Sequence, residues 1–236
     1  MNPEVYPSTF IVDLDRCLVD SAFLQKQLEQ AYAETIGKDA TVLSEIGEIV
    51  SQSGGSFDMV TALNEMVTAQ ELARIRTKFL ELTADNASVY EPGAEMFLQH
   101  LHDTSVPFFI MTYGGDEWQT WKLLTAGLAE VPHIILDAKD KGVYISDRYD
   151  VSTQTYVFDG IANHGEWRTS TVALIDDKAV SFGGLLSPRS RGLWYWPEGR
   201  ELLRSQSIGQ DELPASVQIV RSFDDIITSH LSEGRE

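Results

Sequence analysis

Four acidic residues stand in two short groups, Asp13-Leu14-Asp15 and Asp176-Asp177, and each group follows directly on a run of apolar residues. The runs are Thr9-Phe10-Ile11-Val12 and Thr171-Val172-Ala173-Leu174-Ile175. A third run, Val106-Pro107-Phe108-Phe109-Ile110-Met111, ends in Thr112-Tyr113-Gly114-Gly115. Short apolar runs rich in β-branched residues suit buried strands, and such strands deliver the polar residues that follow them to the carboxyl edge of a sheet. If the strands are neighbours, the carboxylates converge, and like charges that close drive protons onto some of them. A hard divalent cation relieves the repulsion, and an oxygen shell with few protein carboxylates suits Mg²⁺. The Thr112 hydroxyl, the Gly114-Gly115 amides and a lysine would suit a phosphoryl group beside that ion. Carboxylate nucleophile, metal and oxyanion donors together point to phosphoryl transfer through an aspartyl-phosphate.

The elements that must position these residues follow from periodicity. From Ser21 the apolar spacing turns helical, with Phe23/Leu24, Leu28, Ala31/Tyr32 and Ile36 on one face; Ser21 is placed to cap the start and Gly37 to end it. A second helical stretch carries Val60, Leu63 and Met66/Val67. A third opens on Thr68-Ala69-Gln70-Glu71, a capping-box pattern, and continues through Leu72, Ile75, Phe79 and Leu82. Between about residues 21 and 82 the sequence predicts helices alone. Strand and helix alternate afterwards: a helix opened by Pro92 with Met96, Phe97 and Leu101 inward, the Thr112 strand, a helix carrying Trp118, Trp121 and Leu124/Leu128, and a strand at His133-Ile134-Ile135-Leu136. A fourth connecting helix is expected around Val157, Phe158 and Ile161. The Asp176 strand, Leu193-Trp194-Tyr195-Trp196, Val217-Gln218-Ile219-Val220 and a final helix close the chain. Strands separated by helices imply parallel βαβ units, whose ligands bind beyond the carboxyl ends of the strands.

With these motifs assembled, the chain resembles the haloacid-dehalogenase-like (HAD) hydrolase superfamily. The resemblance rests on the strand Phe10-Ile11-Val12 before Asp13-Leu14-Asp15, on Phe109-Ile110-Met111 before Thr112, on Leu174-Ile175 before Asp176-Asp177, and on Pro92-Gly93-Ala94 ahead of the second motif. It spans nearly the whole chain in order and spacing, and the helical insert sits where the family's C1-type cap does. It implies an α/β fold with a Rossmann-like parallel sheet core over residues 1–16 and 88–236 and an inserted α-helical cap over residues 20–86. Further implications are a Mg²⁺-dependent phosphomonoester hydrolase, a small phosphorylated metabolite as substrate, Asp13 as nucleophile and Asp15 as general acid and base. Asp13, Asp15 (through its carbonyl), Asp176 and Asp177 would hold the metal, while Thr112, Tyr113, Gly114 and a lysine would bind phosphate. Lys141 is preferred for that lysine because Gly142 leaves room for close approach; Lys139 is the alternative, with Lys122 a third candidate. Two departures stand out: Arg16-Cys17 replaces a pair that is usually Gly-Thr, and Val180 stands where a further acid often follows the fourth motif.

Composition bounds the alternatives. The 236 residues carry 36 acidic and 18 basic side chains, a formal net charge of −18, with 43% hydrophobic and 10% aromatic residues. That is a globular composition, and its acidity argues against nucleic acid or an anionic membrane as the main partner. A single cysteine, Cys17, excludes an internal disulfide and a multi-cysteine metal site. The amino-terminal residues lack the basic and apolar regions of a signal peptide, so a cytoplasmic location is expected. Asp15 argues against a dehalogenase within the resembled family, because the acid two residues after the nucleophile accompanies phosphate-ester chemistry there. The alternative readings are a phosphomutase and a catalytically weak relative that binds a phosphorylated ligand or a protein partner.

Overall fold

Every residue of β1 (Thr9–Val12) is buried, because this strand lies in the interior of a six-stranded sheet. The computed structural model describes residues 7–52, 58–85, 88–185, 189–198 and 214–231. The elements that follow β1 are α1 (Ser21–Ile36), α2 (Thr41–Gln52), α3 (Met59–Met66), α4 (Ala69–Leu82), α5 (Ala94–Asp103), β2 (Phe108–Tyr113), α6 (Asp116–Thr125), β3 (His133–Leu136) and α7 (Lys141–Ser146). Then come β4 (Tyr149–Asp150), β5 (Thr155–Ile161), β6 (Gly165–Thr169), β7 (Val172–Asp176), a 3₁₀ turn at Ala179–Phe182, β8 (Ser190–Tyr195), β9 (Val217–Val220) and α8 (Phe223–His230).

All pairings in the large sheet are parallel, in the order β3-β2-β1-β7-β8-β9. Its register sets Ile11 beside both Phe109 and Leu174, so the ends of β1, β2 and β7 reach one edge together. Alternate residues of β1 feed opposite faces, as strand geometry requires. Phe10 and Val12 join a core with Phe97, Leu101, Phe223 and the helices of the insert, whereas Ile11 joins Phe109, Leu174, Tyr156, Phe158 and Trp194 on the other face.

The segment between β1 and α5 is helical among the described residues, as the periodicity predicts, with α2 as an additional helix. Asp20, not Ser21, caps α1: its carboxylate accepts the Phe23 amide at 2.9 Å. Gly37 ends that helix at φ +74°, a conformation that glycine adopts without penalty. The α5 helix begins at Ala94 behind Gly93, so Pro92 lies just ahead of its first turn. No described helix is long and apolar enough to cross a membrane.

One element differs in kind. The expected helix around Val157, Phe158 and Ile161 is strand β5, the middle of an antiparallel sheet β4-β5-β6. Tyr156, Phe158 and Ile161 are its inward residues, and a bulge between Phe158 and Ile161 converts a two-residue alternation into a spacing that mimics a helix. The hairpin reverses at Asn163 (φ +62°) and Gly165 (φ +87°). Phe158 and Trp167 then pack on Phe109, with ring centroids at 5.2 and 5.4 Å, so this small sheet covers a face of the large one.

Candidate active site

Asp13 leaves the end of β1 with its backbone amide bonded to the Ile175 carbonyl at 2.9 Å, which ties the first acid to the strand carrying the second pair. Asp13, Asp176 and Asp177 are all buried, and one carboxylate oxygen from each lies within 4.8 Å of the others. Lys141 opens α7 and reaches between them: its Nζ donates to Asp13 Oδ1 at 2.5 Å and to Asp176 Oδ2 at 2.6 Å. The helix can approach this closely because residue 142 is glycine. A Cβ there would overlap the Gly183 carbonyl and lie 3.0 Å from that of Ser181. The buried Asp13 Oδ2 has no hydrogen-bond partner among the described residues. On the far side of the cluster, Trp194 Nε1 holds the Asp177 carbonyl at 3.0 Å and Arg16 Nε sits 3.4 Å from Asp177 Oδ2.

The two aspartates of the first motif occupy opposite environments. Burial, reinforced by Asp176, pushes the Asp13 carboxyl up to about 7 against the pull of Lys141 and Lys178. For Asp15, burial also favours the neutral form, but Lys122, Lys178 and hydrogen bonds from Lys122 and Ser21 outweigh it and hold the group well below the usual carboxylate range. Asp13 and Asp176 outweigh the effect of burial on Lys141 and hold its ammonium firmly protonated. Burial, with the nearby carboxylates, keeps the Cys17 thiol protonated well above its usual range, so it is a small apolar neighbour here and not a nucleophile.

Around Asp15 the structure assembles a cage that the sequence reading did not find. Lys122 Nζ donates to Oδ1 at 2.5 Å, Ser21 Oγ to the same atom at 2.5 Å, and Gln119 Nε2 to Oδ2 at 2.9 Å. Gln119 also takes the Thr112 hydroxyl at 3.2 Å on its Oε1, so Thr112 and Asp15 are linked through one side chain of α6. Lys122 therefore sits on Asp15 and not at the Asp13 cluster. Nothing in the sequence distinguishes Gln119 from any other polar helix residue. Ser21, expected as a cap, turns its hydroxyl to Asp15 instead.

The remaining candidates are distributed as follows. Tyr113 lines the crevice above Asp13, and its carbonyl accepts from Gln119 Nε2 at 3.1 Å. The Gly114 amide donates to the Leu136 carbonyl at 3.3 Å. Lys139 lines the crevice with its Nζ 5.8 Å from the Tyr113 ring centroid. Lys178, Val180 and Ser181 complete the lining, and the free volume of about 10 Å³ within the crevice has room for about one water. Arg16, where the resembled family usually has glycine, holds φ +59°, a left-handed conformation that disfavours side chains with a Cβ.

No protein-family model matches the sequence, and a search of curated proteins gives no match. Solved structures do match along almost the full length. A HAD-hydrolase, YfnB, from Bacillus subtilis bound to magnesium superposes with a TM-score of 0.55 at 14% identity, covering 96% of this chain and 100% of its own. The chain has the HAD-like fold. The HAD-like neighbours also include a protein described as a β-phosphoglucomutase from Thermotoga maritima (TM-score 0.50, 12% identity, 94% and 97% covered). Another is a dehalogenase with an intermediate complex (TM-score 0.51, 14% identity, 95% and 97% covered). At such identities the likeness is one of fold, and the chemistry must be argued from the side chains.

Proposed function

We propose that the protein is a divalent-metal-dependent phosphomonoester hydrolase that works through an aspartyl-phosphate on Asp13. The observation that carries this reading is the buried cluster of Asp13, Asp176 and Asp177 bridged by Lys141, with one Asp13 oxygen left without a partner. A buried polar atom of that kind is rare and costly in a structural role. The donor set fits a hard cation: three carboxylates lie close enough for a shared oxygen shell, with the Asp15 carbonyl the further ligand implied by the resemblance. Asp13, Asp15, Asp176 and Asp177 would hold Mg²⁺, which when bound would neutralise charge on the transferring phosphoryl group.

In the first step Asp13 Oδ2 forms the new bond to phosphorus as the bond to the ester oxygen breaks, and Asp15 supplies the proton to that leaving oxygen. In the second, Asp15 takes a proton from water as it attacks phosphorus, releasing inorganic phosphate and free Asp13. Lys141 and the Thr112 hydroxyl stabilise the phosphoryl oxygens. Lys122 keeps Asp15 ionised, which is the form the second step needs. An arriving phosphate dianion favours its protonation, the form the first step needs. The helical insert, packed on α6 through Phe79 against Trp118 and Trp121, serves as the cap over the site.

Hydrolysis of p-nitrophenyl phosphate tests the reading. Turnover should require Mg²⁺ and fall more than about 1000-fold in Asp13→Asn. A second reading, a ligand-binding relative without turnover, is favoured by the Lys122–Asp15 pair, which holds the general acid in its anionic form. No turnover, together with beryllium fluoride binding that survives Asp13→Asn, would establish that reading and sink the first.

A further inference from the structure

An ionised carboxylate can accept hydrogen bonds at about four lone-pair sites, about two on each oxygen. In Asp15 both sites on Oδ1 are filled, by Lys122 Nζ and Ser21 Oγ. Oδ2 takes one donor among the described residues, Gln119 Nε2 at 2.9 Å. Asp15 lines the crevice beside Asp13, so the oxygen with capacity for a further partner there is Oδ2, and the side chain that holds it is Gln119. Gln119 is 2% exposed, on a helix whose Trp118 and Trp121 pack on Phe79. A buried amide is costly unless its polar atoms are paired, and here they are. Nε2 donates to Asp15 Oδ2 and, at 3.1 Å, to the Tyr113 carbonyl, while Oε1 accepts the Thr112 hydroxyl at 3.2 Å. Exchanging the amide oxygen and nitrogen would set an acceptor against a carboxylate and a carbonyl, so the partners fix its orientation. An apolar side chain would fill the same space; the amide adds a direction. It ties Asp15 to the end of β2, and so aims the carboxylate relative to the hydroxyl that meets the phosphoryl group.

We propose, resting on the hydrolase reading above, that Gln119 is a positioning residue for that reaction: it presents Asp15 Oδ2 to the ester oxygen in the first step and to the attacking water in the second, and acts only through Asp15. Without the amide, Lys122 and Ser21 still hold Oδ1, but the carboxylate can turn about its Cβ–Cγ bond and carry Oδ2 out of line. Proton transfer between positioned groups needs heavy atoms about 2.6–3.2 Å apart, so a small rotation is enough to weaken it.

Leaving groups of graded basicity test this, because a weakly basic one departs with little help from an acid and a strongly basic one does not. The measurement is kcat/KM for p-nitrophenyl, phenyl and benzyl phosphate, on the full-length protein and on Gln119→Met in saturating Mg²⁺. In the variant it should fall about 100-fold for phenyl and benzyl phosphate and less than about 10-fold for p-nitrophenyl phosphate. p-Nitrophenolate should also appear in a burst of about one per protein molecule, since release of phosphate from Asp13 still needs Asp15 as base. An equal loss on all three esters would make Gln119 a packing residue and overturn the inference, as would unchanged kinetics. If Gln119→Met does not fold, Gln119→Asn keeps the amide one methylene short of its partners and should show the same order of losses. Failure of both variants to fold would make the side chain a part of the framework and overturn the inference too. An unaltered protein that hydrolyses none of the three esters would remove the hydrolase reading itself, whereas turnover with a uniform loss in the variants removes only the role of Gln119.

Discussion

Asp13 and Asp15 sit two residues apart and are driven in opposite electrostatic directions. Asp13 prefers to be neutral in the folded, metal-free site, its pKa pushed by burial and Asp176 from an ordinary 3.8 up to about 7. Because its folded pKa is raised, ionisation costs stability: the penalty is absent below about pH 4, grows through the interval and is complete above about pH 7. In EDTA, Asp13→Asn should therefore melt higher than the unaltered protein at pH 8, by about 5–10 °C, and the gap should close toward pH 4. Saturating Mg²⁺ should reverse the order, and an Asn variant no more stable at pH 8 would contradict the argument. Asp15 runs the other way: its lowered pKa contributes stability that is present above about pH 4 and is lost as pH falls through the folded value. Lys122→Met leaves that carboxylate without its cation in a site where Lys122 is nearly buried, and should cost about 3 kcal/mol at pH 7 by denaturant titration. The acidic residues themselves were legible because strand ends expose them in the sequence. Lys141 was legible through the glycine beside it. Gln119 and Ser21 were not, since their roles arise from where α6 and α1 pack, which no local pattern records.

At the level of elements, the contacts that join the insert to the core near the site include two at α6. One is Phe79 of α4 against the α6 tryptophans. The other is Asp58, the cap residue of α3, whose side chain covers the glycine that precedes α6. A methyl group on Gly115 would overlap Asp58, whose Oδ1 is already committed to the Val60 and Thr61 amides at 3.0 and 3.2 Å. Gly115→Ala must therefore either push α3 away or break its cap, at a cost of about 1–2 kcal/mol. KM for a phosphate ester should rise more than kcat falls, measured on the same preparation. An unchanged KM would show that α3 does not govern access. The strand-then-helix order was readable because β1, β2, β7 and β8 are buried along most of their length, while helices such as α1, α4 and α5 bury one face. The β4-β5-β6 sheet was not, because its bulge disguises a period of two, and only packing against Phe109 selects the strand.

For the molecule as a whole, a net charge of −18 coexists with a site rich in lysine. Charge more than about 8 Å away is largely screened at physiological salt, so the local field at Asp13 is set by Lys141, Lys178 and their neighbours. The order β3-β2-β1-β7-β8-β9 places side by side two strands whose acids are far apart along the chain, and Lys141 reaches Asp13 across 128 residues. Such a site cannot exist until the longest-range pairing of the sheet is complete, which is a late and slow event in assembly. A metal ion would then find no preformed ligand set while the chain is still searching. Mg²⁺ should leave the refolding rate nearly unchanged and slow unfolding instead, by up to about 100-fold at a hundred times its dissociation constant, as stopped-flow fluorescence of the tryptophans would record. Faster refolding in Mg²⁺ would mean that the acids meet earlier than the strand order allows. Longevity of the folded protein in the cell would then follow the supply of free magnesium, with each depletion shortening the time before the seam between β1 and β7 opens.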